Sequence, residues 1–356
     1  MTNRILHVAF LDKFIPGFVD IVSQHFSKEN HTIITYGDVS KYFYPQSSKA
    51  FNFPKLKGIR SILVLIFALH RHNKIILHGL FSPQLILLLS FMPWLHKKCM
   101  WTIWGGDLYS HKLAPKNIRF YFIEFFKKII IPRFHGLITY VDGDYQYAKE
   151  WYNAKGLLYE CIMYRSNVYS GKKITEKDFP NPSSYKITSL HIQVGNSADP
   201  SNKHQEIFDR IFALNDDDRI DKIFCPLAYG NMEYAEHIKK VGEVMFGDKF
   251  HALMDFIPLE KYNEILEQVD IAIFSHNRQQ AMGNIINLLG RGKTVYLRAD
   301  TSSYNLFKKL GVEVYPLEEL TLIPQDFVVS TLNNSKIRSY FSEKKLVEQL
   351  KSIFNE

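Results

Sequence analysis

The chain has 356 residues, of which 46% are apolar and 14% aromatic, enough to bury one large core or two. Its three cysteines, Cys99, Cys161 and Cys225, lie far apart without a C-x-x-C spacing, which argues against a disulfide framework or a zinc site and fits a reducing compartment. The net charge of +8 is uneven, because residues 1–165 carry 21 Lys and Arg against 10 Asp and Glu, whereas 166–356 carry 23 against 26. A basic half favours an anionic membrane surface, nucleic acid or a phosphate-bearing small molecule as partner.

The pattern along the chain alternates between strand-like and helix-like runs. Residues 1–8 lead directly into a strand pattern without the charged and apolar regions of a signal peptide, so we expect a cytoplasmic protein. Alternation of this kind predicts parallel sheets with helices on both faces. The predicted strands are Ile5–Phe10, Ile33–Tyr36, Ile75–His78, Met100–Trp104, Gly136–Val141, Leu157–Tyr164, Ile187–Val194, Ile223–Pro226, His251–Asp255, Ile271–Phe274, Thr294–Leu297 and Glu313–Tyr315. The predicted helices include Phe18–Phe26, Tyr145–Tyr152, Gln205–Leu214, Met232–Phe246, Leu259–Gln268 and Met282–Gly290.

A polar, turn-rich segment without periodicity interrupts this alternation at residues 166–186 and is typical of a linker. We therefore predict an N-terminal Rossmann-like domain at 1–165 and a second Rossmann-like domain at 187–335. The last segment, 336–356, is predicted to form a helix over Lys336–Phe354 that packs back on the first domain.

Three apolar segments of the basic half, Ile59–Leu69, Leu85–Leu95 and Ile118–Arg133, are flanked or interrupted by Lys, Arg and His. None reaches the roughly 20 continuous apolar residues that a membrane-spanning helix needs. All three are expected to be helices of an α/β domain. Ile118–Arg133 is in addition a candidate for a helix at a membrane interface, with its basic residues toward lipid phosphates.

Two strand ends in the first half carry candidate catalytic side chains, at the edge where parallel sheets bind ligands. His78 is interpreted either as a base or phosphate partner, or as a structural histidine. Asp107 follows a glycine pair that allows close backbone approach, and is either a general base or the N-cap of the next helix. Trp104, Gly105 and Gly106 are further candidates for a cleft between the two domains. Arg165, just before the linker, is interpreted either as reaching into that cleft or as a structural residue.

The second half contains two strand–turn–helix segments, Val194–His204 and Ser275–Asn284. The first N–H groups of a helix have no intrahelical partner, and Arg278 offers a bidentate fork for phosphate. Together the two segments predict a diphosphate held between two loops, with Lys203 and His204 adding positive charge and Tyr229 available to a base or sugar. The candidate binding residues of this half are Gly195, Asn196, Ser197, Ser201, His204, Tyr229, Arg278, Gln279, Gln280, Gly283 and Asn284.

Other chemistries are disfavoured by the sequence. Asp142-Gly143-Asp144 is similar to the D-x-D metal motif of some sugar transferases, but it opens a helix, so we predict capping by Asp144 and no required divalent metal. No G-x-G-x-x-G follows the first strand, which argues against a dehydrogenase. The basic residues flank apolar runs and form no helix-turn-helix, zinc or RNA-binding signature, so nucleic acid is not an expected partner.

Four motifs taken together resemble a known family. They are His78-Gly79-x-Phe81-x-Pro83, Trp101-x-Ile103-Trp104-Gly105-x-Asp107-Leu108-Tyr109, Val194-Gly195-Asn196-Ser197-x-Asp199-x-Ser201-Asn202-x-His204 and Arg278-Gln279-Gln280-x-x-Gly283. Their order and spacing are similar to those of the bacterial transferases that add 4-acetamido-4,6-dideoxygalactose from its dTDP donor to lipid II of enterobacterial common antigen.

The resemblance implies a GT-B glycosyltransferase, with two doubly wound domains facing a central cleft and an inverting, metal-independent reaction without a cofactor. The acceptor would be a polyprenyl-diphosphate-linked saccharide of enterobacterial common antigen or O-antigen, used by a peripheral enzyme on the cytoplasmic face of the inner membrane. Two alternatives stay open: a GT-B transferase of another nucleotide sugar, and a non-catalytic nucleotide-sugar-binding membrane adaptor.

An inverting transfer needs a base for the acceptor hydroxyl and stabilisation of the departing diphosphate. We expect Asp107 to be the base, with His78 as the competing candidate. Leaving-group stabilisation is expected from the amides of residues 195–197 together with Ser201, His204 and Arg278. The helix Met282–Gly290 lacks the acidic residue that many GT-B enzymes use to bind ribose, so amides such as Asn284 or Asn287 are expected there.

Overall fold

The computed structural model describes residues 4–178 and 189–355, except 57 and 216. The chain forms two compact units: an N-terminal unit of Met1–Val168 and Glu343–Glu356, and a C-terminal unit of Tyr169–Ser342. The predicted linker and the start of the predicted strand Ile187–Val194 fall partly on residues 179–188, which lie outside the described part of the chain.

The N-terminal unit is built on a seven-stranded parallel sheet in the order β3-β2-β1-β4-β5-β6-β7. Its strands read as nearly continuous apolar runs because helices cover both faces of the sheet. The elements are β1 (Ile5–Phe10), α1 (Phe14–His25), β2 (His31–Tyr36), β3 (Ala50–Phe53), α2 (Ile59–Arg71), β4 (Lys74–His78), α3 (Pro83–Ser90), β5 (Cys99–Thr102), α4 (Gly106–Leu113), α5 (Ile118–Ile130), β6 (Gly136–Ile138), α6 (Asp142–Tyr152) and β7 (Leu157–Tyr159).

The C-terminal unit repeats this plan with a six-stranded parallel sheet in the order β10-β9-β8-β11-β12-β13. Its elements are β8 (Leu190–Val194), α7 (His204–Ala213), β9 (Ile220–Pro226), α8 (Met232–Phe246), β10 (Phe250–Leu253), α9 (Leu259–Gln268), β11 (Ile271–Phe274), α10 (Met282–Gly290), β12 (Thr294–Leu297), α11 (Ser302–Lys309), β13 (Tyr315–Pro316) and α12 (Phe327–Tyr340). The prediction of two doubly wound parallel-sheet units is therefore confirmed.

Each sheet reverses its strand order once, between β1 and β4 in the N-terminal unit and between β8 and β11 in the C-terminal unit. At such a switch point the crossover helices leave toward opposite faces, so that a crevice opens beyond the carboxyl ends of the strands. Ala9 pairs with His78 across the first switch point, and Val194 pairs with Ile273 across the second. The candidate residues follow these strand ends.

The last helix, α13 (Glu343–Phe354), belongs to the N-terminal unit. Gln349 Oε1 accepts the backbone N–H of Ile162 at 3.0 Å, and Phe354 packs with its ring centroid 4.6 Å from that of His31. The prediction of one helix over Lys336–Phe354 is wrong, because the chain breaks between α12 and α13 at Phe341 and Ser342.

Other differences from the predicted elements concern their ends. The strand Ala50–Phe53 was not predicted, because its four residues follow a polar loop and show no alternation. The strands predicted to run to Val141 and Tyr164 end at Ile138 and Tyr159. Helix α6 begins at Asp142, three residues before the predicted Tyr145, so Asp142-Gly143-Asp144 opens a helix as expected. Its N-cap is Val141, so the prediction that Asp144 caps it is wrong. Asp144 lies buried in the first turn and accepts the hydroxyl of Tyr109 at 2.9 Å.

The three apolar segments of the basic half are helical over most of their length, within α2, α3 and α5. Across the part of the chain that the structure describes, no helix combines the length and apolar character required to cross a membrane.

Candidate functional site

The first loop of the C-terminal unit leaves β8 through a tight turn at Gly195. Its φ of +65° lies in the left-handed region that favours glycine, and a Cβ there would lie 2.6 Å from Nε2 of His204. The Gly195 N–H donates to the carbonyl of Ile273 on the neighbouring strand at 3.0 Å. The turn is therefore packed tightly against the start of α7 and against β11.

Asn202 holds this loop in its shape. Its fully buried Oδ1 accepts the backbone N–H of Asn196 at 3.0 Å, and its Nδ2 donates to Oγ of Ser197 at 3.2 Å and to the carbonyl of Asp199 at 2.9 Å. The amides of Gly195 and Asn196, which we expected to bind phosphate, are thus used inside the protein. Their role in this structure is to position the side chains of the loop.

The loop that follows β11 is bonded directly to the first one. His276 Nε2 lies 2.8 Å from Oδ1 of Asn202 and 3.1 Å from Oδ1 of Asn196. Both partners are acceptors, so Nε2 carries the proton in this neutral ring. Burial, reinforced by the charge of Arg278, lowers the pKa of His276 to about 3.

The predicted residues Ser201 and Gln280 complete this connection. Ser201 Oγ donates to Oε1 of Gln280 at 2.8 Å, and Nε2 of Gln280 donates to Oδ1 of Asn196 at 3.2 Å. The structure thus brings together the two segments that the sequence predicted to form one site.

Arg278 lies at the edge of this network, with its side chain only 17% exposed and Nη2 3.3 Å from Oδ2 of Asp199. Burial raises the pKa of Asp199, but hydrogen bonds from Ser201 and the charge of Arg278 outweigh it, so that the pKa falls below its ordinary value. Four of the five guanidinium N–H groups have no partner among the described residues and can turn toward a ligand.

A second arginine, Arg298, follows the adjacent strand β12. It forms a bidentate pair with Asp300, at 3.1 Å from Nε and 2.9 Å from Nη2. A recess of about 10 Å³ lies between Arg278 and Arg298, and Thr301 and Ser303 at the beginning of α11 also line it. The recess accommodates roughly one water molecule or one ligand oxygen.

His204 does not add the positive charge that we expected. It is fully buried, with Nδ1 3.1 Å from the hydroxyl of Tyr234, and burial lowers its pKa to about 4. It therefore packs as a neutral ring beneath Gly195. Lys203 has positive φ and forms a partly exposed ion pair with Glu206 at 3.6 Å.

The remaining predicted residues of this unit surround the same loops. Tyr229 is 48% exposed, and its hydroxyl accepts Nδ2 of Asn196 at 3.0 Å. Gln279, Gly283 and Asn284 are partly exposed at the beginning of α10. Ala281 precedes this helix with positive φ and offers no side-chain cap, so that the first N–H groups of α10 face outward at the switch point.

In the N-terminal unit, Asp107 is buried and fully occupied by protein donors. Its Oδ2 accepts the backbone N–H of Leu80 at 2.9 Å and the indole N–H of Trp101 at 2.7 Å, while Oδ1 accepts the N–H groups of Trp104 and Leu108, each at 3.0 Å. Burial raises its pKa in spite of these bonds. Gly105, at φ +82°, is the N-cap of α4, so that Asp107 lies in the first helical turn and joins two strand-end loops.

His78 belongs to a buried chain of aromatic side chains. The indole N–H of Trp104 donates to the hydroxyl of Tyr164 at 2.6 Å, and this hydroxyl lies 2.7 Å from Nδ1 of His78. His78 Nε2 is 3.1 Å from Nδ1 of His7, whose Nε2 is 3.0 Å from Nδ1 of His31.

The hydrogen bonds that run from Trp104 through Tyr164 to His78 all have the same donor-to-acceptor direction. The indole of Trp104 can only donate, and the Tyr164 hydroxyl in turn donates its hydrogen bond to Nδ1 of His78, an arrangement in which Nε2 of His78 carries the ring proton. Burial lowers the pKa of His78 to about 3. Both nitrogen atoms of His78 are engaged, and the side chain has no solvent exposure.

A pocket of about 390 Å³ opens at the switch point of this unit. Its walls include the rings of Phe10, Tyr36, Phe81 and Trp104, and its polar rim includes Asp12 and Lys55. Gly79 makes the wall possible, because a Cβ at this position would lie 2.4 Å from the Phe81 ring.

The remaining candidates of the N-terminal unit have structural contacts. Gly106 lies beneath the Phe81 ring, where a Cβ would be 3.6 Å away. Arg165 donates to Oε1 of Gln24 at 3.1 Å and lies 3.5 Å from Glu343, so that it links α1 and α13.

Comparison with known proteins decides the family. The sequence model of the family described as 4-alpha-L-fucosyltransferase, glycosyl transferase group 56, matches residues 9–315. The chain belongs to this glycosyltransferase family. It is therefore an enzyme that transfers a sugar.

Solved structures show that this group 56 transferase has the GT-B fold. Anabaena HepE in complex with UDP and glucose has a TM-score of 0.64 and 10% sequence identity, over 99% of both chains. WaaG, a glycosyltransferase involved in lipopolysaccharide biosynthesis, has a TM-score of 0.60 and 12% identity, over 99% of this chain and 98% of WaaG. A glycosyltransferase from Rickettsia africae has a TM-score of 0.63 and 12% identity, over 99% and 98% of the two chains.

Four residues of the group 56 transferase were not among the sequence candidates. Asn202 and His276 lie within the two predicted loops, but their hydrogen bonds depend on the pairing of β8 with β11, which no local pattern shows. Asp12 lies two residues after the end of β1 and Arg298 directly follows β12, so the strand-end rule identifies both when it is applied to these strands.

Proposed function

We propose that this group 56 transferase is an inverting enzyme that moves 4-acetamido-4,6-dideoxygalactose from a dTDP donor to a polyprenyl-diphosphate-linked saccharide. The product would serve synthesis of a surface polysaccharide, enterobacterial common antigen or O-antigen. The family description names a fucosyltransferase, and fucose is a 6-deoxygalactose like the proposed sugar. HepE, of the same fold, was solved with UDP-glucose, which supports a nucleotide sugar as the donor.

One observation carries the donor assignment: the loops after β8 and β11 are joined into one hydrogen-bonded network with Arg278 at its edge. The uncapped beginning of α10 adds N–H groups and the positive end of a helix dipole. Such an arrangement fits a diphosphate, which carries negative charge and many acceptor oxygens. The exposed ring of Tyr229 and the amide of Asn284 are assigned to the base and ribose.

The chemistry follows from this placement. As the bond between the anomeric carbon and the diphosphate breaks, negative charge grows on the leaving oxygen, and Arg278 donates to it in a partly buried site where the interaction is strong. Ser201 and Gln280 orient the loop beside the diphosphate. Because a guanidinium and a helix terminus supply the positive charge, we propose that the transfer requires no divalent metal.

The acceptor and the membrane are assigned to the basic N-terminal unit. Helix α5 buries the ion pair Glu124–Lys127, at 3.3 Å, beside Ile130 on its inward face, while Tyr121, Phe122 and Phe125 on the other face are 51–61% exposed. We define these three rings as the aromatic face. Rings of this kind insert at the lipid headgroup boundary.

The surroundings of the aromatic face support an anionic lipid surface as the partner. The exposed cations Arg119 and Lys128 lie one helical turn from these rings on the same helix, and Lys116 stands over the ring of Phe120. Lys127, expected to face lipid, points inward to the carbonyl of Asp107 at 2.9 Å. Helices α3 and α5 pack side by side, and Trp94, which follows α3, is 62% exposed. These features support our proposal that the enzyme acts as a peripheral protein at the cytoplasmic face of the inner membrane.

The test has two stages. A thermal-shift series with dTDP, UDP, GDP and CMP should give its largest stabilisation with dTDP, because a ligand that binds only the folded protein raises its stability with the logarithm of concentration over Kd. Purified enzyme should then transfer the sugar from its dTDP donor to a lipid-linked saccharide, with a mass increase of one sugar residue, in buffer containing EDTA. A shift with UDP, GDP or CMP alone would reject the dTDP donor, and dependence on an added metal would reject the metal-free reaction.

A further inference from the structure

The pocket at the switch point of the N-terminal unit has no function in the donor site, and it has the form of a carbohydrate site. Its volume of about 390 Å³ falls within the range of small-ligand pockets, roughly 300–1,000 Å³. Phe10 and Phe81 are 41% and 40% exposed. These two rings share the pocket with Trp104, and apolar surface that is gathered in one concave site, unlike a single exposed apolar residue, is typical of a ligand-binding groove.

A sugar ring explains these walls. One face of a pyranose presents C–H groups, and the electron-rich face of an aromatic ring attracts them. The hydroxyl groups at the edge of the sugar then need polar partners, and Asp12, Lys55 and Gln84 lie at the rim. An apolar ligand would leave this rim unused.

Asp12 is the one carboxylate among the described residues that line the pocket. It is partly exposed, and its Oδ1 accepts the backbone N–H of Lys13, while Oδ2 has no hydrogen bond among the described residues. Asp107 and His78 are in the opposite situation, because each is buried and every acceptor atom is engaged by the protein. Neither of them can take a proton from an acceptor without first losing a structural bond.

We propose that this pocket binds the acceptor sugar and that Asp12 is the catalytic base. The acceptor oxygen forms the new bond to the anomeric carbon of the donor, the bond from that carbon to the diphosphate breaks, and its electron pair leaves with the nucleoside diphosphate. The hydroxyl proton passes to Oδ2 of Asp12. The inference rests on the proposed function only for the identity of donor and acceptor.

The experiment compares Asp12→Asn with Asp38→Asn. Asp38 follows the neighbouring strand β2, is exposed, and bonds only within its own loop, to Ser40. Asp12→Asn should lower kcat by about 10²- to 10⁴-fold, the usual effect of losing a general base. Its affinity for the nucleotide selected by thermal shift should match wild type, and Asp12→Glu should recover part of the lost rate. Asp38→Asn should retain wild-type kcat.

Phe81→Leu tests the pocket separately. It should raise the acceptor KM at least fivefold with nucleotide affinity unchanged. Saturation-transfer NMR with chitobiose, a simple disaccharide probe, should show contact with wild type and a weaker signal with this variant, whichever nucleotide sugar is the donor.

A kcat of Asp12→Asn within threefold of the wild-type kcat would overturn the base assignment. The assignment would also fail if this variant lost nucleotide affinity by the same factor as it lost kcat. Unchanged acceptor KM and chitobiose signal in Phe81→Leu would overturn the pocket. If the enzyme uses another donor or acceptor, the proposed function fails, while the same variants assayed with the true substrates still decide this inference.

Discussion

Nε2 of His276 donates a hydrogen bond of 2.8 Å to the buried Oδ1 of Asn202, and this bond joins two loops that lie 74 residues apart in the chain. The same oxygen accepts the backbone N–H of Asn196. One amide side chain therefore sets the spacing between the segment after β8 and the segment after β11.

Replacing this amide should lower both the stability of the folded protein and its affinity for dTDP. Asn202→Ala leaves the backbone N–H of Asn196 without its buried acceptor, which costs about 1–3 kcal/mol, and removes the nearer of the two acceptors of the Nε2–H of His276. We expect urea unfolding to give a loss of about 2–4 kcal/mol and the thermal shift with dTDP to diminish. Asn305→Ala, on the exposed side of α11, is the matched control, and equal stability of the two variants would contradict the role of Asn202.

Arg278 should determine diphosphate affinity. Arg278→Ala removes charge-assisted hydrogen bonds worth about 1.5–3 kcal/mol, so the Kd for dTDP should rise about 10- to 100-fold. Arg278→Lys should recover only part of this loss, because a single ammonium cannot form the bidentate contact. Titration calorimetry measures the effect, with exposed Arg338→Ala of the same unit as control. An unchanged Kd in Arg278→Ala would reject the assignment of the diphosphate to this loop.

Asp107 should have a structural role, because its carboxylate joins two strand-end loops by hydrogen bonds. In Asp107→Asn the carboxylate is replaced by an amide whose NH2 group faces N–H donors that previously bonded to Oδ1 or Oδ2. We expect a loss of about 2–4 kcal/mol in unfolding free energy, since buried donors lose their acceptor. A variant with wild-type stability and greatly reduced turnover would instead support Asp107 as the base.

The buried histidines predict a loss of stability in acid. The pKa values of His78, His204 and His276 in the folded protein, about 3, 4 and 3, lie below the ordinary value of 6.5, so the unfolded chain binds more protons between these limits. Stability is therefore complete above pH 6.5 and falls as the pH decreases through 6 and 5, by up to about 1.4 kcal/mol per pH unit for each ring.

Urea midpoints at pH 7, 6 and 5 measure this dependence. His276→Gln keeps a side-chain N–H toward Asn202 and removes one titrating ring, so the slope should become shallower, whereas exposed His237→Gln should leave it unchanged. A midpoint independent of pH between 7 and 5 would refute the prediction. Carboxylates such as Asp199, whose pKa lies below 3.8, act only below this window.

The aromatic face should govern association with lipid. Phe122→Ser combined with Phe125→Ser removes apolar area that inserts at the headgroup boundary, and the partition coefficient onto vesicles containing phosphatidylglycerol should fall at least tenfold. Vesicles of phosphatidylcholine alone should bind wild type more weakly, because the surrounding cations lose their attraction. Phe256→Ser, at an 86% exposed position of the C-terminal unit, should bind as wild type does.

The fold was predictable from the sequence because the spacing of apolar residues along a strand or helix indicates which side chains are buried. The strands Ile271–Phe274 and Thr294–Leu297 and the helix Met232–Phe246 match their predicted bounds. For the site, the sequence predicted which loops come together but not the hydrogen bonds that their side chains form. The strand-end rule located His78 and Asp107, but it could not show that their polar atoms face inward. The orientation of His78 depends on Tyr164, which is far away in the sequence, and that of Asp107 depends on Trp101, on the other side of a turn.

Helix α13 has a consequence for how the protein is made. Phe354 covers His7 and His31, and Gln349 satisfies the backbone at Ile162, so that part of the core of the N-terminal unit comes from beyond the C-terminal unit. During translation the first unit emerges from the ribosome long before this helix exists. It must wait with that side of its sheet uncovered while the second unit folds, and it completes its core only after residue 354 has been synthesised.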